Sequence, residues 1–122
     1  MPSILIIDDM AEFRHNIAEA LQFEGFEVMQ ADNPVNGFAQ MSQRRPDLIL
    51  LDLSFPGLYG VNFIEWVRGS RLFADVPIIA VSGFKDVEHI EESLFAGAND
   101  YLVKPITVTE IIESIQKHLI RT

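Results

Sequence analysis

Five short apolar runs, each followed by a stretch of helical periodicity, constrain what this chain can fold into more than any other feature. They occupy residues 4–7, 48–51, 78–81 and 101–103, with a weaker, alternating run at 26–31. Near-continuous Ile, Leu and Val, rather than apolar-polar alternation, marks strands covered on both faces. Strands of that kind alternating with helices build a parallel sheet between two helical layers.

The segments between the runs carry helix signals. In the first, Phe13, Ile17, Ala20, Leu21 and Glu24 recur at three- and four-residue spacings, with Ala20 and Leu21 side by side, so they predict one inward stripe that stops at Gly25. The second opens at Asp32-Asn33-Pro34, a polar cap before a first-turn proline, and closes before Pro46. Gly57 and Gly60 punctuate the loop before the third, whose inward residues are Phe63, Ile64 and Val67 with Trp66 nearby. The last begins with a capping box, Thr107 to Glu110, and continues through Ile111, Ile112, Ile115 and Leu119.

Five strand-helix units in 122 residues fit an α/β, flavodoxin-like doubly wound sheet of five parallel strands, order 2-1-3-4-5, flanked by five helices. An eight-stranded barrel needs about twice the chain. Residues 1–122 are therefore expected to form a single domain with its site at the carboxyl ends of the strands.

Composition narrows the chemistry. Nine basic against eighteen acidic residues give a net charge of −9, the wrong sign for neutralising nucleic-acid phosphates, so direct DNA binding by this domain is not expected. No apolar run approaches the ~20 residues that span a bilayer. Met1-Pro2-Ser3 leads straight into the first strand without a signal peptide, and the expected location is cytoplasmic, with no membrane partner. With no cysteine, a metal would need oxygen or imidazole ligands.

At the expected carboxyl edge, Asp8-Asp9 end the first strand and Asp52 ends the third, its neighbour in the sheet. Carboxylates held close resist ionisation unless protons or a cation compensate, and hard oxygen ligands favour Mg²⁺ or Mn²⁺. An Asp pair after a strand also suits turn formation and helix capping, which Asp9 can provide. Asp52 follows an apolar strand that gains nothing from a charge there. After it, the turn at Ser54-Phe55-Pro56-Gly57 leaves backbone carbonyls free for a metal, which makes Ser54 a candidate through its main chain. Ser82-Gly83 ends the fourth strand, pairing a hydroxyl with a residue that admits close approach. Lys104-Pro105 ends the fifth, bringing a cation to the same edge. Singly, Ser-Gly is an ordinary turn and Lys a solvated charge. Together, a nucleophilic carboxylate, further carboxylates, a hydroxyl and a cation suit phosphoryl transfer.

These residues, with Gly60 and the stretch Ala96-Gly97-Ala98-Asn99-Asp100-Tyr101-Leu102-Val103-Lys104-Pro105, resemble the receiver domains of two-component response regulators over the whole chain. The separations, 30 residues from Asp52 to Ser82 and 22 from Ser82 to Lys104, are similar to the family's. The resemblance implies a phosphorylation switch rather than an enzyme acting on a separate substrate. By it, Asp52 is the phosphoacceptor, and Asp9, Asp52 and the Ser54 carbonyl hold Mg²⁺, with Asp8 acting through a water. Lys104 and the Ser82 hydroxyl receive phosphoryl oxygens, and Tyr101 is the switch aromatic. Phe84 and Ser54 flank the water path that sets phosphate lifetime. The implied partners are a histidine kinase or histidine phosphotransfer protein and an unidentified downstream protein or fused output domain. The domain would be a monomer or a phosphorylation-dependent dimer.

The implied output face is the fourth helix, fifth strand and fifth helix, with Glu88, Glu91, Glu92, Glu113 and Lys117 as exposed candidates. His15, His89 and His118, on separate helices, read as surface residues. Met10 departs from the polar residue common at its position, and Ser82 replaces the commoner Thr with the hydroxyl kept. The final helix lacks the arginine-rich pattern of receivers that dimerise in winged-helix transcription factors.

Three rivals fit less well. An Asp-nucleophile phosphatase usually needs a second acid where Ser54 stands, and a flavin protein needs a Ser/Thr/Gly-rich loop after the first strand. A receiver that binds partners without phosphorylation fits poorly with an intact Asp8, Asp9, Asp52, Ser82 and Lys104. No Gly-x-x-x-x-Gly-Lys-Ser/Thr loop or dinucleotide fingerprint suggests direct ATP or NAD binding.

Overall fold

A computed structural model describes residues 1–53 and 59–119, the side chain of Tyr59 excepted. Ser54, Pro56 and Gly57 lie outside the described residues. The chain runs β1 Ser3–Ile7, α1 Ala11–Phe23, β2 Glu27–Ala31, α2 Pro34–Gln43, β3 Leu48–Asp52, α3 Tyr59–Gly69, β4 Ile78–Ser82, α4 Val87–Ala96, β5 Asp100–Val103 and α5 Val108–His118. The strands form one sheet in the order β2-β1-β3-β4-β5, all pairs parallel, as the sequence pattern predicts.

The continuous apolar runs are the central strands. β1, β3 and β4 are buried along their whole length, while β2 and β5, at the sheet's edges, are mostly half-buried. Alternate side chains of the central strands feed two cores. Leu5, Ile7, Ile49, Leu51, Ile78 and Ala80 pack with Met41 of α2 and with Phe63, Ile64 and Val67 of α3. On the other face Ile4, Ile6, Leu48, Leu50, Ile79 and Val81 pack with Ile17, Ala18 and Leu21 of α1 and with Ile111 and Ile115 of α5. Each fully buried Leu or Ile stabilises the fold by about 1.5–3 kcal/mol relative to exposure, so both helical layers are held firmly.

The helix ends follow their signals. Asn33 caps α2 by accepting from the Asn36 N–H, Pro34 opens it, and the Thr107–Glu110 capping box closes in both directions on α5. Three expectations need correction. Along α1 the residue buried with Ile17 and Leu21 is Ala18, while Ala20 is half-buried; Glu24 is exposed, because the helix ends at Phe23 and Gly25, at φ 97°, turns the chain away. The N-cap of α1 is Met10, without a side-chain cap, so Asp9 does not cap it. Gly60 lies inside α3 rather than in the preceding loop, and a Cβ there would come within 2.5 Å of Leu53 Cδ2, so it permits close helix-strand approach.

Register carries the polar strand ends to one edge. Ile7 lies beside Leu51, so the next residues, Asp8 and Asp52, are neighbours; Asp52 pairs with Val81, one residue before Ser82. Ser82 in turn pairs with Val103, one residue before Lys104.

Candidate functional site

Four polar residues contributed by four different strands meet at that edge. Asp8 and Asp52 are each 2% exposed and Ser82 is fully buried, whereas Asp9 faces solvent. The Lys104 ammonium lies 3.6 Å from Asp52 Oδ1 and 3.8 Å from Asp8 Oδ2. A face of the Phe13 ring covers the same ammonium at 4.6 Å from its centroid. The Lys104–Pro105 peptide bond is cis, and the Lys104 N–H donates to the Ser82 carbonyl at 2.8 Å, tying the β4 and β5 ends together.

Burying carboxylates side by side has an electrostatic consequence. Loss of solvation pushes the Asp8 carboxyl up to about 6, and repulsion from Asp52 adds to this. The Met10 N–H, donated to Asp8 Oδ1 at 2.9 Å, and the Lys104 charge oppose the rise without cancelling it. Asp8, Asp9 and Asp52 each bring a carboxylate oxygen within 4.8 Å of the others. A crowded all-oxygen set of three carboxylates fits a hard divalent cation.

Ser82 Oγ accepts the Phe84 N–H at 3.0 Å, while the Phe84 carbonyl accepts the Tyr101 hydroxyl at 2.6 Å. Phe84 thus joins the buried serine to the half-buried tyrosine through its own peptide groups. Its half-exposed ring stacks on His89, centroids 4.3 Å apart and planes 7° apart. A Cβ on Gly83 would meet nothing within 4 Å, so packing does not require glycine between Ser82 and Phe84.

The structure therefore brings together Asp8, Asp9, Asp52, Ser82 and Lys104, with Phe84 and Tyr101 linked to Ser82. Ser54 lies outside the described residues. Sequence reasoning missed Phe13 and Arg14. The Arg14 guanidinium donates to the Asp8 carbonyl at 2.7 Å and to Gln30 Oε1 at 3.1 Å, bracing the β1 end from α1. Both sit one helical turn beyond Asp8-Asp9, and only the turn of the chain reveals that they face back.

The histidines differ from one another. His15 and His89 are exposed, but His89 is not isolated: its Nδ1 lies 2.7 Å from Asp86 Oδ2, and this hydrogen bond lifts the imidazole above its ordinary value and lowers the carboxyl. His118 is half-buried rather than a free surface residue, its Nε2 3.1 Å from Asp100 Oδ2. Burial disfavours the Asp100 charge, but the Ser114 hydroxyl, the Tyr101 N–H and His118 together hold its carboxyl below the usual range. Glu88, Glu91, Glu92, Glu113 and Lys117 are exposed.

The sequence matches the response regulator receiver domain family over residues 4–116, and the chain belongs to that family of two-component signalling domains. It is 36% identical over 120 residues to the phosphate regulon transcriptional regulatory protein PhoB of Pseudomonas aeruginosa, covering 98% of this chain and 52% of PhoB. The DNA-binding dual master transcriptional regulator RpaA of Synechocystis is 34% identical over 122 residues, all of this chain and 51% of RpaA. The chain thus spans about half the length of these curated relatives. In structure it is similar to a CheY-like response regulator receiver domain protein from Methanospirillum hungatei, with TM-score 0.89 and 30% identity over 98% of this chain and 94% of that one. Among the described residues no helix is long and apolar enough to cross a membrane.

Proposed function

We propose that Asp52 accepts a phosphoryl group from a phosphohistidine on a partner kinase or phosphotransfer protein. The observation that carries this reading is the Lys104 ammonium held 3.6 Å from Asp52 Oδ1, beside the buried Ser82 hydroxyl. The carboxylate attacks phosphorus in line: an O–P bond forms as the P–N bond breaks, its electron pair passing to the departing imidazole. Lys104 meets the phosphoryl oxygens as they arrive. Ser82 Oγ accepts the Phe84 N–H, which leaves its own proton to donate to a phosphoryl oxygen. Asp9, Asp52 and the Ser54 carbonyl, with Asp8 in support, would hold a divalent cation, Mg²⁺ or Mn²⁺, and it would supply the positive charge that three carboxylates and a phosphoryl group need. The domain catalyses its own phosphorylation and dephosphorylation and acts on no separate substrate.

Movement of Ser82 towards the phosphoryl group pulls on Phe84, and Tyr101 then exchanges its 2.6 Å bond to the Phe84 carbonyl for an inward position. The α4-β5-α5 face changes shape and hands the signal to a downstream protein or fused output domain, as a monomer or a phosphorylation-dependent dimer. Phe84 and Ser54 set how readily water reaches the acyl phosphate. Residues 1–122 work in this as one cytoplasmic receiver domain.

The test is incubation of wild type and Asp52→Asn with acetyl phosphate and Mg²⁺, followed by intact mass spectrometry. Wild type gains one acid-labile phosphoryl group and the variant gains none. An unmodified wild type sinks the reading. For the relay, Tyr101→Phe keeps the modification but changes its effect on the nuclear magnetic resonance signals of α4, and identical responses in both proteins exclude Tyr101 from the switch.

A further inference from the structure

Lys104 reaches the pocket on a long flexible stem, and its ion pairs to Asp52 and Asp8, at 3.6 and 3.8 Å, are longer than hydrogen bonds. Carboxylates at that separation attract the ammonium without fixing its position. A third group does touch it: the Phe13 ring, in the first turn of α1, lies under the ammonium at 4.6 Å from the centroid. The Lys104 side chain is 21% exposed, so much of its hydration is already lost, the condition in which a cation over an aromatic face gains most. Phe13 with Met10, Pro105 and Ile106 lines an open apolar hollow of about 450 Å³ against Lys104, so the stem also rests on apolar surface.

We infer that Phe13 is a positioning residue for Lys104: its ring face holds the ammonium at the mouth of the carboxylate pocket, ready for phosphoryl oxygens. The inference rests on the reading of Asp52 as phosphoacceptor. Packing alone offers a plainer account, because Phe13 also borders the core beneath α1 and α5, and in that role any apolar side chain of similar bulk serves equally. Ring electrostatics separate the two accounts. Fluorination drains negative charge from the ring face while scarcely changing its size, so it weakens the hold on a cation and spares the packing.

The experiment places 4-fluoro-, 3,5-difluoro- and 3,4,5-trifluorophenylalanine at position 13 of the full chain and measures the rate of phosphorylation by acetyl phosphate at fixed Mg²⁺. The rate is expected to fall stepwise, by roughly two- to fivefold at the trifluoro ring, with Phe13→Trp close to wild type. A rate that stays flat across the fluorinated series overturns the inference. A second measurement needs no phosphorylation: the Lys104 ε-methylene protons, lying over the ring, resonate upfield in wild type and return to ordinary values in Phe13→Leu. No upfield shift in wild type also overturns the inference. An upfield shift in a protein that takes no phosphoryl group upholds the placement and sinks the phosphoacceptor reading instead.

Discussion

The two ends of this sheet treat charge in opposite ways. At the amino end, Arg68 donates to the carbonyls of Gly97, Ala74 and Val76 and to Asn99 Oδ1, all between 2.7 and 3.0 Å. Asn99 Oδ1 also accepts the Ile78 N–H at 2.8 Å, and Asp47 Oδ2 accepts the Ser3 N–H at 2.7 Å. At the carboxyl end, two buried carboxylates stand side by side, and the Lys104 ammonium keeps 3.6 and 3.8 Å away. Saturated hydrogen bonds stabilise one end, while the other holds charge in a state that a ligand can relieve.

Substitutions at the two ends should therefore shift stability in opposite directions. The largest effect is expected for Arg68→Met, which strips a donor from four acceptors, three of them backbone carbonyls. With discounting for partial exposure, the loss is about 3 kcal/mol, read as a lower urea midpoint. A loss under about 1 kcal/mol would remove the contrast between the ends.

Asp8→Asn should do the reverse. A carboxyl raised from 3.8 to about 6 in the folded protein binds a proton more tightly folded than unfolded, so the folded state is penalised once that proton leaves. The penalty is absent below pH 3.8, grows between there and about 6, and is complete above. The variant should thus be more stable than wild type by up to about 3 kcal/mol at pH 7.5, and nearly equal in stability near pH 3.5. Calorimetry at both values tests this, and a variant less stable at pH 7.5 would reverse the assignment of strain to Asp8. Added Mg²⁺ should stabilise wild type at pH 7.5 more than at pH 5, where protons compete for Asp8.

The smallest effect belongs to the exposed pair between these extremes. The His89 imidazole, raised by Asp86, adds stability fully present below pH 6.5 and lost as pH climbs through its elevated value. Proton resonance titration should find that value above 6.5 and returned to normal in Asp86→Asn, with little change in the urea midpoint. An unchanged titration in the variant would remove Asp86 as the cause.

Much of this was legible in the sequence because the strands announce themselves. Continuous apolar runs of Ile, Leu, Val and Ala at 4–7, 48–51 and 78–81 could only be buried on both faces, and parallel β-α order then sends Asp8, Asp52, Ser82 and Lys104 to one edge. Helix faces were less certain. Ala20 and Ala18 both suit an inward position by type and spacing, and only the seat of α1 on Ile4 and Ile6 chooses Ala18. Gly60 reads as loop punctuation until the approach of Leu53 shows what a side chain there would strike.

By itself, then, the sequence determined the strand order, the shared edge and the residue types found there, because apolar periodicity and chain connectivity are local properties. Tertiary structure alone decided the 3.6 Å gap between Lys104 and Asp52, the elevated Asp8 carboxyl, the Phe13 ring beneath the ammonium and the partnership of His118 with Asp100. Those depend on desolvation and on distances between side chains far apart in the chain, which no spacing along it encodes.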